Sequence, residues 1–235
     1  MMNREILKNW RHVMKLDPAK PLTDTQIDHI LRSGTDALMI GGTDGVTYEN
    51  TNNLLSRLAL GEIPLIQEIS TLESVHPSFD AYLIPSVLNT SDIRWVYGEH
   101  LEAIKKFGEY IPWEKLWWEG YVVGNPEAKV AKKTNSDCSL TPADVTAYAR
   151  LTEHVFQFPV FYVEYSGTYG GTQWLQAASR SLNRTLLFYG GGISKEAQAK
   201  EVAAYADVVV VGNVIYEDLD RACESVQWVK ETKKQ

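Results

Sequence analysis

The sequence predicts an α/β protein: a modified (β/α)8 barrel with its third outer helix missing or vestigial, formed as a single domain over residues 1–235. Three observations carry this reading. Short apolar runs rich in β-branched or aromatic residues recur along the whole chain and read as buried parallel strands. Amphipathic stretches alternate with them, which favours a parallel sheet, and eight such units favour closure. Three glycine-bearing turns, each following an apolar run, lie in the last third: Tyr165-Ser166-Gly167, Gly190-Gly191-Gly192 and Gly212-Asn213. Glycine lets main-chain N–H groups approach an anion, and a following helix offers its positive end. Together they look like a phosphate site at the top of a barrel.

In order, strands are expected at His12–Leu16, Ala37–Ile40, Pro64–Ile69, Ala81–Ile84, Gly120–Val123, Val160–Glu164, Thr185–Tyr189 and Val208–Val211. Helices are expected at Thr23–Ser33, Tyr48–Leu60, Ser91–Phe107, Thr141–Phe156, Thr172–Leu182, Lys195–Tyr205 and Tyr216–Lys230, with Ser91 and Thr141 as N-caps. The third unit is defective. Ser70–Asp80 is barely long enough for a crossover and carries Pro77, a helix breaker. A barrel without that helix has an apolar side opening in which a long, greasy ligand could lie.

Composition bounds the function. A hydrophobic fraction of 44% supplies a substantial core, and a net charge of −7 makes nucleic acid an unfavourable partner. Two cysteines, Cys138 and Cys223, form no disulfide framework and no metal spacing, which points to a reducing cytoplasm. Met1–Trp10 contains no apolar core of a secretory leader, and no apolar run approaches the 18 residues of a membrane span.

Candidate chemistry clusters at strand ends. Lys15 and Asp17 lie two apart at the first strand's end and so share a side; one can meet a phosphate and the other a divalent metal. Gly41-Gly42-Thr43-Asp44-Gly45 follows the second strand, where Thr43 offers a hydroxyl to a metal shell and Asp44 a second carboxylate. Glu164 closes an otherwise apolar strand, where burial would raise its pKa toward that of a general base, with Tyr162 on the same face. Glu68, Ser70, Ser86 and Asn89 are further rim positions. The segment Phe107–Tyr121, with Tyr110, Trp113, Trp117 and Trp118, reads equally as a membrane-facing lid, a dimer contact or a core helix. Ala103 either leaves room for a ligand tail or is a plain helix former.

Longer motifs carry a resemblance. Trp10-Arg11-His12, Lys15-Leu16-Asp17-Pro18, Ile40-Gly41-Gly42-Thr43-Asp44-Gly45-Val46, Ile84-Pro85-Ser86-Val87-Leu88-Asn89, Glu119-Gly120-Tyr121, Tyr162-Val163-Glu164-Tyr165-Ser166-Gly167, Phe188-Tyr189-Gly190-Gly191-Gly192-Ile193 and Val210-Val211-Gly212-Asn213 are similar to the bacterial PcrB-type heptaprenylglyceryl phosphate synthases, relatives of the archaeal geranylgeranylglyceryl phosphate synthases. The resemblance spans Trp10 to the last helix. It implies a homodimer that joins sn-glycerol 1-phosphate to a polyprenyl diphosphate with Mg²⁺. By the same resemblance Asp17 and Thr43 are metal positions, and Lys15, Tyr162, Val163, Glu164, Tyr165, Ser166, Gly167, Gly192, Gly212 and Asn213 bind glycerol phosphate; in the reaction so implied, Glu164, with Tyr162 on its face, is expected to accept the hydroxyl proton or to stabilise the passing cation. Position 43 is often serine in the family, and threonine keeps the hydroxyl. A small residue at Ala103 implies a long tail such as heptaprenyl. The tail's home in a bilayer implies transient membrane-surface contact by a cytoplasmic enzyme. Two other classes compete: another phosphosugar barrel enzyme of isomerase or aldolase type, and a non-catalytic phosphate-binding barrel. The latter need not keep Asp17, Thr43 and Glu164 together, and an aldolase needs an interior lysine, for which only Lys15 qualifies.

Overall fold

The computed structural model describes residues 4–59 and 61–235; Met1–Asn3 and Leu60, the expected end of the second helix, lie outside them. Eight strands pair in parallel and in sequence order, and the last closes onto the first. They are β1 (His12–Leu16), β2 (Ala37–Ile40), β3 (Leu65–Glu68), β4 (Ala81–Val87), β5 (Leu116–Val123), β6 (Val160–Glu164), β7 (Leu186–Gly190) and β8 (Val208–Val211). Alternation sorts their side chains into two apolar layers. Val13, Met39, Ile66, Leu83, Tyr162, Phe188 and Val210 form the interior layer. Met14, Leu38, Phe161, Val163, Leu187 and Val209 pack outward with the helices. Burial on both faces is why the runs are almost continuously apolar.

The helices are α1 (Asp24–Leu31), α2 (Tyr48–Leu58), α3 (Glu99–Phe107), α4 (Lys129–Thr134), α5 (Pro142–Arg150), α6 (Gln173–Ser179), α7 (Glu196–Ala203), α8 (Val214–Glu217) and α9 (Leu219–Lys230). Thr141 caps α5 as expected, in a reciprocal capping box with Asp144. Ser91 does not cap the fourth unit. That unit enters through a π-helical turn at Arg94–Gly98, and Asp92 accepts the Arg94 N–H at 3.0 Å. Between β3 and β4 only a 3₁₀ turn forms, Leu72–Ser74, so the third outer helix is vestigial.

One expectation needs correction. The segment Phe107–Tyr121 is not a helix: it holds two 3₁₀ turns and then β5, which starts four residues before Gly120. Trp117 therefore lies in the barrel floor, fully buried and edge-on to Trp10 at 6.1 Å. Each glycine turn is followed by a helix as expected, α6 and α7 starting one residue after Thr172 and Lys195. Gly212-Asn213 leads directly into the short α8. Ahead of α6 and α7 the backbone is left-handed at Gly167 (φ 82°) and Gly192 (φ 42°), a conformation that breaks the helical path.

Candidate active site

Strand parity puts four ionisable side chains in the barrel interior: Lys15, Glu68, Glu119 and Glu164. Lys15 Nζ donates to Glu68 Oε2 at 2.5 Å. Burial opposes the Lys15 charge, but Glu68 and Glu164 outweigh it and hold the pKa above the ordinary lysine value. Glu164 accepts from the Tyr121 hydroxyl at 2.9 Å and from Ser166 Oγ at 2.5 Å. Burial raises its pKa, while Lys15 and the two hydroxyls restrain the rise. Glu119 is completely buried, and neither of its oxygens has a hydrogen-bond partner among the described residues. Burial and then Glu68 push its pKa well above the ordinary carboxylate value, which favours the neutral form. The Tyr162 ring stacks on Tyr121 at 4.9 Å, and its hydroxyl is buried where the Glu164 carboxylate acts on it.

Above this cluster the β7 and β8 loops lie side by side, since Gly190 pairs with Val210. The main-chain N–H groups of Gly191, Gly192, Gly212 and Asn213 have no protein acceptor among the described residues. A Cβ at Gly192 would stand 2.2 Å from the Thr168 carbonyl carbon, so the residue must be glycine. Free donors on the loops after strands seven and eight, beside a short extra helix, have the arrangement in which other such barrels hold phosphate. Asp17 sits beside Gly42, where an added Cβ would come 2.7 Å from Oδ1. Asp44 does not join Asp17: its carboxylate pairs with Lys129 at 2.8 Å.

From this rim a cavity of about 870 Å³ runs down the side left open by the vestigial helix. Lys15, Thr43, Glu68, Tyr121 and Ser166 line its polar end, and Tyr82, Ile84, Ala103, Ile104, Phe107 and Trp118 its apolar length. Of the other expected substrate residues, Val163 turns its side chain outward, leaving its main chain to face the site. Tyr165 is a wedge between loops, packed on Trp174 and Tyr189. Gly124, Gly170 and Gly191 make its socket, because a Cβ at any of them would collide with the tyrosine. The residues sequence reasoning missed are Tyr121, the donor to Glu164, and Glu119. Both stand in the quoted Glu119-Gly120-Tyr121 motif, but only the earlier start of β5 fixes their inward parity with Trp117.

Comparison with known proteins agrees with this geometry. A heptaprenylglyceryl phosphate synthase from Anoxybacillus flavithermus is 50% identical, covering 95% of this chain and 97% of its own. A second from a Geobacillus species is 48% identical over 96% and 99%. A crystal structure of (S)-3-O-geranylgeranylglyceryl phosphate synthase from Thermoplasma acidophilum, in complex with its substrate sn-glycerol-1-phosphate, superimposes with a TM-score of 0.83 at 23% identity, over 96% of this chain and 99% of that one. That likeness speaks for the fold. The profile of the PcrB family matches residues 5–230, and the chain belongs to that family.

Proposed function

We propose that the chain is a prenyltransferase that joins sn-glycerol 1-phosphate to heptaprenyl diphosphate, forming an ether and releasing pyrophosphate. One observation carries the reading: unpartnered main-chain donors at the rim open onto an 870 Å³ apolar cavity in the barrel wall. A phosphate-bearing headgroup and a long hydrocarbon need that pair of surfaces, and a phosphosugar isomerase does not. An aldolase is disfavoured because its amine must lose its proton to attack. Lys15, the sole lysine on the eight strands, is held protonated by Glu68.

Main-chain donors and Lys15 would fix the glycerol phosphate with its 3-hydroxyl against the first carbon of the prenyl chain. Such positioning is worth on the order of 7–11 kcal/mol in favourable cases. The oxygen–carbon bond forms as the allylic carbon–oxygen bond breaks, the bonding pair leaves with pyrophosphate, and Glu164 takes the hydroxyl proton. Tyr121 and Ser166 orient the Glu164 oxygens, and Tyr162 stacks behind Tyr121. Thr43 lines the cavity's polar end and Asp17 lies beside cavity-lining Gly42, which leaves space next to the Asp17 carboxylate; these two hard oxygen donors suit Mg²⁺. When bound, Mg²⁺ would neutralise charge on the leaving diphosphate. Among the described residues no three His, Cys, Asp or Glu side chains converge on a metal position, so substrate oxygens would complete the shell.

The reading extends to a homodimer in the cytoplasm that visits the bilayer surface. No described helix is long and apolar enough to cross a membrane. Tyr110, 84% exposed, and Trp113, stacked on cavity-lining Trp118, stand at the cavity's mouth as the contact. Liposome co-sedimentation that is unchanged in a Tyr110→Ala, Trp113→Ala variant would remove that contact. The central test incubates the protein with labelled sn-glycerol 1-phosphate and prenyl diphosphates of graded length, with and without EDTA. Metal-dependent transfer that is best with the heptaprenyl chain is expected; no transfer from any prenyl diphosphate would overturn the proposal.

A further inference from the structure

The mouth of the barrel carries a second set of cations that the chemistry above does not use. Lys129 and Lys133 lie four residues apart on α4, one helical turn, so both project from the same face. Lys129 reaches from the end of β5 to Asp44 beyond β2, three strands away around the ring, and pairs with it at 2.8 Å. Both partners are exposed, and the ion pair, with Lys133 nearby, lowers the Asp44 pKa. The charge of Asp17 also acts on Lys129, which places that ammonium close to the Asp17 end of the mouth. Lys133 lines the cavity that holds Lys15, Thr43 and Ser166. Its ammonium lies 5.6 Å over the Trp95 ring and makes no ion pair or hydrogen bond among the described residues.

This arrangement answers a charge problem. A diphosphate brings several negative charges to a chain whose net charge is −7. Lys15 is engaged by Glu68, and Arg94, also on the cavity wall, by Asp92. We propose that Lys129 and Lys133 form a cationic clamp for the diphosphate of the prenyl substrate, and that Asp44 is a latch holding Lys129 in the empty site. The inference rests on the prenyltransferase reading for the identity of the ligand. When a diphosphate enters, Lys129 exchanges the Asp44 carboxylate for a phosphate oxygen, and Lys133 leaves the Trp95 face to meet a second one. Lysine suits this task as a mobile point charge with three donors. The exchange costs little, because an exposed ion pair is worth well under a charge-assisted contact to phosphate.

The probe is inorganic pyrophosphate, titrated calorimetrically into the full chain with Mg²⁺ present. Lys129→Gln and Lys133→Gln are each expected to weaken its binding about tenfold, the size of one lost hydrogen bond to a charged group. Lys133→Arg restores most of that loss. Asp44→Asn tightens pyrophosphate about threefold, because the latch is gone. Affinity for sn-glycerol 1-phosphate stays constant in all four variants, and with prenyl diphosphate the change appears in KM rather than kcat. Lys129, Lys133 and Asp44 are exposed, so unchanged thermal melts will confirm that the variants fold. Pyrophosphate binding that is unaltered in both glutamine variants overturns the clamp, as does an equal loss of glycerol phosphate affinity. Wild-type protein that binds pyrophosphate through these lysines yet transfers no prenyl group leaves the clamp standing and sinks the reaction.

Discussion

Replacing Glu164 by glutamine tests the chemistry most directly. The side chain accepts the Tyr121 hydroxyl at 2.9 Å and Ser166 Oγ at 2.5 Å, in a pocket shared with the Lys15–Glu68 pair. Glutamine keeps the shape. Both neighbouring hydroxyls can rotate to accept from the new amide N–H, so the structural cost stays near 1 kcal/mol. The variant cannot take a proton from the glycerol hydroxyl. Turnover is expected to fall by about 10²–10⁴, the usual worth of a positioned base, or about 3–5.5 kcal/mol on the barrier. Glycerol phosphate binding, carried by Lys15 and the rim N–H groups, is expected to persist. The pH profile supplies an independent check. Burial raises the Glu164 pKa, so the charged, active form is lost as pH falls through a value above the ordinary carboxylate range. The wild-type rate should therefore show an acid limb beginning at higher pH than an exposed glutamate would give, and Glu164→Gln should lack it. Single-turnover rates with heptaprenyl diphosphate from pH 4 to 9 measure both quantities. Near wild-type turnover in the variant, or an unchanged acid limb, would refute the assignment.

Ala103→Trp should fill the apolar cavity beside Ile104 and Phe107. Activity with the heptaprenyl substrate is expected to fall at least tenfold, while a four-unit prenyl diphosphate is still used, as product analysis by mass spectrometry will show. Gly192→Ala combines a left-handed φ of 42° with a main-chain collision at Thr168, so the loop must move. The expected stability loss is about 1–3 kcal/mol, with a raised KM for glycerol phosphate read from initial rates. Glu153 accepts the N–H groups of Asn183, Arg184 and Thr185, at 2.7, 2.9 and 3.2 Å for Oε2. Burial opposes its charge, yet those bonds hold its pKa down at about 2. The folded pKa lies below the unfolded one, so this stabilisation is present in full above about pH 4.5 and disappears as pH falls toward 2. Urea melts at pH 7 should show Glu153→Gln destabilised by about 1–3 kcal/mol, with the gap to wild type closing at pH 2–3.

The ring of strands was legible because a doubly buried strand leaves little ambiguity: β1, β2, β6 and β8 fall at the expected residues. The vestigial third helix was legible for a related reason, since chain length and Pro77 alone rule out a full crossover. The β5 start was not. Leu116-Trp117-Trp118-Glu119 alternates between two surroundings that one sequence cannot distinguish. Trp117 turns into the floor against Trp10, and Trp118 turns out into the gap beside Trp113. With the segment open between a lid, a dimer contact and a core helix, and the strand expected only from Gly120, the inward parity of Glu119 could not be read. Helix α4 escaped notice because six residues with two lysines in the last turn carry no apolar period. Lys15, Asp17, Thr43 and Glu164 were legible as strand-end polar residues, whereas the pairing of Lys15 on β1 with Glu68 on β3 depends on register carried through the intervening β2.

The missed residues change the electrostatic logic of the site. Lys15 alone would face three interior carboxylates, an arrangement hostile to a phosphate-bearing substrate. Burial eases that conflict by favouring the neutral form of Glu119: it is shut away from water, has no hydrogen-bond donor among the described residues, and feels the charge of Glu68. Glu68 is matched by Lys15. Glu164 then remains the one carboxylate with solvating hydroxyls but no direct cation partner, and so is free to take a proton. In the proposed reaction the glycerol phosphate would then rest on Lys15 together with main-chain N–H groups on the β7 and β8 loops, which add no formal charge to the barrel. An acidic protein can in this way offer neutral donors to an anion at its rim while a carboxylate base sits in the barrel below.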